Sequence, residues 1–484
     1  MQFTNLLSRL QSLLGPERVL TDPVALRVYE CDGLTAYRRL PKVVVLPDDV
    51  AQVQAIMRLA GEFNVPVVAR GAGTGLSGGA MPHADGLLLS LARFNRILHI
   101  DADNRIARVQ PGVRNLAISE AVAELGLYYA PDPSSQIACS IGGNVAENSG
   151  GVHCLKYGLT VHNVLGLKFV TMAGELCELG GAALDEPGLD LLALLHGSEG
   201  MLGVIVEVTV RLLPTPPVIR VLLADFTSVE AAANAVADVI GAGIVPAGLE
   251  MMDALAIQAA EDFVHAGYPR DAEAILLCEL DGMDEEVEYD AERVTAILHA
   301  AGARGVRAAS DALERMKMWK GRKSAFPAVG RLAPDYYCMD GTIPRRRLSQ
   351  VLRHIAQLSV EYGLPVANVF HAGDGNLHPL ILYDANQPGK LAQVEAMGAR
   401  ILLACVEAGG TITGEHGVGV EKIDQMCVQF SPEELAQMHR VKAAFDPLAL
   451  LNPGKAVPSL HRCAEMGAMH VHAGRVPHPD LPRF

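Results

Sequence analysis

The sequence predicts an α+β protein in two parts, and three observations carry that prediction. From residue 41 onward, short β-rich runs alternate with helical stretches at mixed spacing. Pro214-Thr-Pro-Pro217 sets three prolines in four residues, a composition that resists helix and sheet and divides the alternation in two. Half of the 484 residues are apolar and 20% are charged, so large cores are available and wholesale disorder is excluded.

Residues 1–37 read as an amphipathic helix, with Leu6, Leu7, Leu10, Leu13 and Leu14 packing on their own domain, then an irregular segment. In the first part, residues 38–217, strands are expected at 42–46, 66–70, 86–91, 106–109, 164–172 and 203–213, with helices at 49–62 and 115–125. The second part, residues 218–455, reads as a ferredoxin-like sheet covered by helices. Its strands are expected at 218–226, 274–281, 336–339, 365–370 and 377–382. Its helices fall at 229–240, 285–301, 345–362 and 391–408. A helical C-terminal segment (432–444) and an extended tail rich in His and Pro (456–484) close the chain.

The net charge of −15 argues against a nucleic-acid partner, which needs Lys and Arg facing phosphates. Nine cysteines stand singly, none spaced C-x-x-C, so the chain supplies neither an iron–sulfur cluster nor a zinc ribbon. With no secretory signal and no apolar run of about 18 residues, reduced thiols and a cytoplasmic location are expected.

Three glycine-dense segments stand out. Residues 66–79 end in Arg70-Gly-Ala-Gly-Thr-Gly-Leu-Ser-Gly-Gly79, where Gly73, Gly75 and Gly78 match G-x-G-x-x-G. A Rossmann fingerprint must open a helix, and here a proline-containing stretch leads to a strand instead. The better reading is a free-standing loop whose N–H groups point at phosphate oxygens, with Arg70 as a nearby cation. Residues 131–151 read as a second long polar loop, short of charge and therefore functional in preference to disordered. Gly197-Ser-Glu-Gly-Met-Leu-Gly203 runs straight into a strand. Together they fit an extended cofactor touched by backbone at many points.

Phe370-His-Ala-Gly-Asp-Gly-Asn-Leu-His378 carries a different chemistry. Asp374-Gly375 between apolar runs predicts a two-residue hairpin turn. Symmetric pairing then sets Gly373 against Asn376, Ala372 against Leu377, and His371 against His378. Both imidazoles share one face, with Cβ atoms about 5 Å apart, a spacing that suits one metal. The rival reading is two histidines that merely frame a turn, and a loop of three or more residues would shift the pairing. In Gly409-Gly-Thr-Ile-Thr-Gly-Glu-His-Gly-Val-Gly419, glycines flank a carboxylate and an imidazole. Glu415 is the candidate third ligand, which leaves His416 free for proton transfer; Zn, Mn and Fe all fit such a donor set.

From about residue 38 to 217 the glycine segments, in order, resemble the FAD-binding domain of the vanillyl-alcohol-oxidase, or PCMH, type. The resemblance implies that FAD is held by Arg70, Gly71, Gly73, Thr74, Gly75, Ser77, Gly78 and Gly79 of the first segment. From the second come Pro131, Asp132, Ser134, Gly142, Gly143, Asn144, Asn148, Gly150 and Gly151; from the third, Glu199, Gly200, Gly203 and Val204; and from near the end, Asn452. Several members of that superfamily attach flavin through a His near the loop. Here the loop itself has no His, and His83 lies just beyond it, so non-covalent FAD is expected.

Downstream, the Phe370–Pro379 and Gly410–Gly419 motifs and Asn452-Pro-Gly-Lys455 resemble the FAD-linked oxidase C-terminal domain. It occurs in D-lactate and D-2-hydroxyglutarate dehydrogenases and in glycolate oxidase flavin subunits, the last being the nearest resemblance. The resemblance implies His371, His378 and Glu415 as metal ligands and His416 as catalytic base. Arg322 would grip the substrate carboxylate, with Lys323 and Asn376 beside it; without the family, Arg322 reads as a solvated charge. A basic residue that would hold a second substrate carboxylate is expected near Cys338, so a dicarboxylate is disfavoured. The implied reaction is FAD-dependent oxidation of a small 2-hydroxy acid, glycolate or D-lactate, to the 2-oxo acid. Electrons would pass to an iron–sulfur subunit or quinone chain, alongside a second FAD-domain subunit, with membrane association through those partners. The rivals are a stand-alone D-lactate dehydrogenase, a metal-dependent hydrolase with a nucleotide site, and a subunit that binds flavin structurally.

Overall fold

The computed structural model describes residues 2–183 and 188–458, so nearly all of the tail expected at 456–484 lies outside the described residues. Two compact units emerge from its contacts. The first comprises Met1–Ser149, Leu159–Pro214 and the chain from Glu415 onward; the second comprises Gly150–Gly158 and Thr215–Gly414.

The first unit holds two principal sheets. In the smaller, Val43–Val45 and Val67–Arg70 flank Leu87–Ser90 in parallel register, and Val19–Leu20 pairs antiparallel at the outer edge. Parallel strands of this kind are covered on both faces, and Val43, Val44, Val45 and Leu87–Leu89 are all buried. The crossover helix Val50–Phe63 starts where the Asp49 side chain accepts the Gln52 N–H at 2.8 Å, and it ends at left-handed Asn64. The N-terminal helix Gln2–Leu14 inserts Leu6, Leu10 and Leu14 into the same core, each worth roughly 1.5–3 kcal/mol of burial. The larger sheet is antiparallel, in the order Ile97–Asp101, Ile106–Val109, Val204–Arg211, Val164–Val170, Leu176–Gly180.

One expectation fails here. The polar loop read across 131–151 contains the helix Ile141–Glu147. Gly142 and Gly143 hide it from propensity, yet Ile141 and Val145, four residues apart, form its buried face.

The second unit is built on one antiparallel sheet of seven strands among the described residues. In chain order it runs β1 (Val218–Phe226), α1 (Val229–Gly241), β2 (Gly248–Asp253), α2 (Ala254–Val264), β3 (Ala274–Gly282), α3 (Asp284–Ala300) and β4 (Gly305–Ala308). These four strands lie in the order β4-β1-β3-β2, the βαββαβ arrangement of a ferredoxin-like half with α2 inserted. After α4 (Ala312–Lys323), the strands β5 (Asp335–Cys338), β6 (Val366–His371) and β7 (Asn376–Tyr383) extend it as β2-β6-β7-β5. The sequence reading missed β2, α2, β4 and α4. In Gly248-Leu-Glu-Met-Met-Asp253 no residue is β-branched and two are acidic, so neither composition nor alternation announces a strand. Asp253 both ends β2 and caps α2, with no turn residue between them.

Seven cysteines, at positions 31, 139, 154, 177, 278, 338 and 405, are free thiols. No helix among the described residues is long and apolar enough to cross a membrane.

Candidate active site

In the second unit the sheet and helix α4 bring His371, His378, Asn376 and Arg322 close together. The hairpin register differs from the symmetric one: His371 pairs with Asn376, Phe370 with Leu377 and Val369 with His378, around a four-residue loop. The physical reason lies in the tip. Gly375, at φ +84, packs so close to Ile343 that an added Cβ would lie 2.2 Å from its carbonyl oxygen, and the Gly375 N–H donates back to His371 O at 3.1 Å. A slip of one residue would have turned one histidine away. A slip of two keeps both on one face, because side chains alternate with period two. The rings lie 5.1 Å apart and nearly perpendicular, with ligating nitrogens within 4.8 Å of each other. Both are buried.

Behind them is a residue the sequence reading did not single out. Glu250 on β2 hydrogen-bonds His371 Nδ1 through Oε1 at 2.8 Å and forms an ion pair with Arg322 Nη2 through Oε2 at 2.6 Å. Arg322 and Glu250 are each about 1% exposed, which overturns the solvated-charge reading of Arg322. Burial pushes the Glu250 carboxyl up, but His371 and Arg322 outweigh it and hold it below the ordinary range. Helix α4 can deliver Arg322 because Gly321 packs on Tyr268, where a Cβ would sit 2.5 Å from the phenol oxygen. Its neighbour Lys323 goes elsewhere, lining an open cavity of about 380 Å³ with His153, Glu279 and Trp319. Asn376 is buried beside His371, and its Oδ1 has no partner among the described residues. Cys338 on β5 brings its sulfur within 4.8 Å of a His378 ring nitrogen.

The loop that carries the next motif is fastened to the same unit. Thr411 and Thr342 exchange backbone hydrogen bonds at 3.1 and 3.0 Å. Asp340 Oδ2 accepts from Thr413 Oγ1 at 2.5 Å and from the Gly414 N–H at 3.0 Å. Gly414 abuts Asn376, where a Cβ would lie 2.6 Å from the amide. One peptide bond later the chain enters the first unit, to which Glu415 and His416 belong; His416 Nε2 lies 3.9 Å from the Glu415 carboxylate.

In the first unit the glycine loop is free-standing, as expected, and the next regular element is the strand Leu87–Ser90. Among the described residues, the amides of Gly73 through Gly79 find no protein acceptor. A row of unpaired donors on a glycine backbone suits the diphosphate of FAD. Arg70 lies against this loop. Nη1 donates to Cys31 O at 2.6 Å, and a Cβ at Gly73 would meet Nη2 at 2.2 Å, so Arg70 props the loop.

Other polar residues assigned to the cofactor brace loops. Asn144 Oδ1 accepts from Asn115 at 3.1 Å, and Asn148 Oδ1 accepts the Val161 N–H at 3.0 Å. Glu199 accepts the Val418 and Gly419 N–H groups at 2.7 Å each, clasping the segment just after His416. Asn452 Nδ2 donates to Gly79 O at 3.0 Å and to Glu199 O at 2.6 Å. Of the rest, Gly71 faces the Ser140 hydroxyl, Gly142 abuts Pro111 and Gly203 abuts Phe169; Pro131 O accepts from Asn115. Sequence reasoning passed over Glu147 and valued Lys455 only as part of a motif. Glu147 is buried, its Oε2 has no partner among the described residues, and it lies against Gly79 and Gly417. Burial and the neighbouring Glu199 raise its pKa well above the ordinary carboxyl value. Lys455 donates to Gly79 O at 2.9 Å and Asn452 Oδ1 at 2.6 Å, and burial lowers its pKa to about 7.

An FAD-type loop domain joined to a sheet bearing buried imidazoles and a guanidinium defines a class, and the comparisons agree. A family model described as "FAD binding domain" matches residues 41–180, and "FAD linked oxidases, C-terminal domain" matches 215–456. The chain belongs to the FAD-linked oxidase family and is an FAD-dependent oxidoreductase. It is 67% identical over 456 residues to glycolate oxidase subunit GlcD of Escherichia coli K12, covering 94% of this chain and 91% of that protein. Identity is 40% to the Bacillus subtilis subunit of the same name, over 91% of this chain and 94% of that protein. A D-lactate dehydrogenase of Archaeoglobus fulgidus is 35% identical over 86% of this chain and 92% of that protein. Among solved structures, p-cresol methylhydroxylase superposes with a TM-score of 0.78 at 18% identity, over 95% of this chain and 98% of that one, which speaks for the fold.

Proposed function

We propose that this chain oxidises a small 2-hydroxy acid, glycolate foremost, to the 2-oxo acid. The observation that carries the reading is the buried imidazole pair tied through Glu250 to a buried guanidinium, in a chain so similar to a named glycolate oxidase subunit. FAD is assigned to residues 38–217, held without a covalent bond, and the metal and substrate groups to residues 218–455.

Bound FAD would supply the hydride acceptor, and a divalent ion on His371, His378 and Glu415 would lower the pKa of the substrate hydroxyl. The donor set fits: two imidazoles already face one another, and the chain carrying Glu415 leaves Gly414 beside Asn376. Arg322 holds the substrate carboxylate, since its Nε and Nη1 have no hydrogen-bond partner among the described residues. His416 takes the hydroxyl proton at a ring nitrogen. Asn376 Oδ1 is a further acceptor for the substrate. Cys338 offers no charge to a second carboxylate, which disfavours dicarboxylic acids. With no cluster-binding cysteines in the chain, electrons would leave through an iron–sulfur subunit, with a second FAD-domain subunit in the complex, and reach the membrane electron chain by way of those partners.

The test is anaerobic bleaching of the flavin band. Glycolate should bleach it and D-2-hydroxyglutarate should not. The D-lactate dehydrogenase relative supports a second reading, in which D-lactate is the better substrate; the ratio of kcat/KM for the two acids separates them. Failure of every 2-hydroxy acid to bleach the flavin would remove the proposal.

A further inference from the structure

We propose that Glu250 is a positioning residue that commits His371 to metal binding through Nε2 and charge-balances Arg322 at the same time; this rests on the metal and substrate reading just given. The register of the sheet puts it there. Met251 pairs with Phe370 and Met252 with Val369 between β2 and β6, so the next step along that ladder sets Glu250 opposite His371. Opposed residues on one face hold their Cβ atoms roughly 5 Å apart, within reach of a carboxylate and an imidazole.

Two donors meet one two-oxygen acceptor. Oε1 takes His371 Nδ1 at 2.8 Å and Oε2 faces Arg322 Nη2 at 2.6 Å. A carboxylate is acceptor-only, so Nδ1 carries the proton and Nε2 keeps the lone pair that ligation needs. Carboxylates behind ligating histidines fix the tautomer and the ring angle, and their loss typically weakens metal affinity 10–100-fold. Here the same carboxylate also meets a guanidinium, and all three groups are buried. A buried Arg322 without Glu250 would be an uncompensated charge.

Glu250→Gln separates this role from simple packing. An amide has the same size but only one acceptor oxygen, so it can satisfy His371 or Arg322, not both. Glu250→Asp keeps both acceptors and the charge but leaves a void. Zn²⁺ bound per FAD and its Kd, measured by chelator competition on flavin-loaded protein, count only folded molecules. If Glu250 positions the ligand, Glu250→Gln raises the Kd 10–100-fold and Glu250→Asp raises it less. If the carboxylate only fills space, the order reverses or neither changes, and the inference falls. His371→Ala is the control. When it loses Zn²⁺ but Glu250→Gln does not, the inference is overturned and the metal reading survives; when wild-type protein binds no Zn²⁺, both fall.

Discussion

In the proposed reaction His416 must be neutral before it accepts a proton, and it lies between Glu415 and a loop clasped by Glu199. Removing the imidazole while that clasp remains should leave substrate binding nearly intact. Stopped-flow reduction of the flavin by glycolate is therefore expected to slow by about 10²–10⁴-fold in His416→Ala, with the apparent Kd for glycolate changed less than about fivefold. Equal reduction rates would remove His416 from the chemistry. At this scale the sequence was informative where residue type and spacing coincide, as with the two histidines around Asp374-Gly375. It was mute for Glu250, one acid in a short unpatterned strand whose partners lie 72 and 121 positions away. Arg322 was legible only through family resemblance, because Trp319-Lys-Gly-Arg-Lys323 taken alone reads as surface charge.

Elements were legible where a period or a turn announces them, as with β1, predicted and observed over the same residues. The hairpin shows the limit. Asp374-Gly375 signalled a turn, but Gly375 is held against Ile343, a contact 32 residues away that no local pattern reveals. The missed β2–α2 junction turns on Asp253, whose Oδ1 accepts the Ala256 N–H at 3.0 Å and whose Oδ2 accepts from the Asn368 N–H at 2.9 Å and Nδ2 at 2.7 Å. Burial nevertheless pushes this carboxyl from 3.8 up to about 6. A folded-state pKa above the unfolded one means that folding takes up a proton between pH 4 and 6. The matching stability is fully present below about pH 4 and is lost as pH rises through about 6. Asp253→Asn cannot titrate. Wild-type stability minus variant stability in urea should thus fall by at most about 3 kcal/mol from pH 4 to pH 7. Because flavin binding enters both proteins, it largely cancels from that difference, and a gap that does not move with pH would contradict the assignment.

Over the whole molecule, the chain leaves the first unit at Pro214 and returns at Glu415, so that unit is complete only when its last segment is in place. The return is structural. Val67 N–H donates to Leu450 O and Asn452 N–H to Val67 O, both at 2.8 Å, which adds a parallel bridge to the outer strand of the smaller sheet. Such an edge is otherwise a row of unpaired backbone groups. The sequence marked Asn452-Pro-Gly-Lys455 as a motif but gave no reason for it, since its partners, Gly79 and Glu199, are more than 250 residues away. Asn452 stands at φ +42, a conformation that Asn and Asp tolerate better than most residues, so Asn452→Asp preserves the backbone and changes only the donor. The new oxygen would face two buried carbonyls; Gly79 O keeps the Lys455 donor, whereas Glu199 O loses the Asn452 donor, at a cost of about 1–3 kcal/mol. The expected result is a lower Tm and earlier release of FAD, read as the rise in flavin fluorescence on heating, with both transitions moving together. If Tm fell while the release temperature held, the last segment would stabilise the sheet without supporting the glycine loop, and the link from Asn452 through Gly79 to the cofactor would be broken.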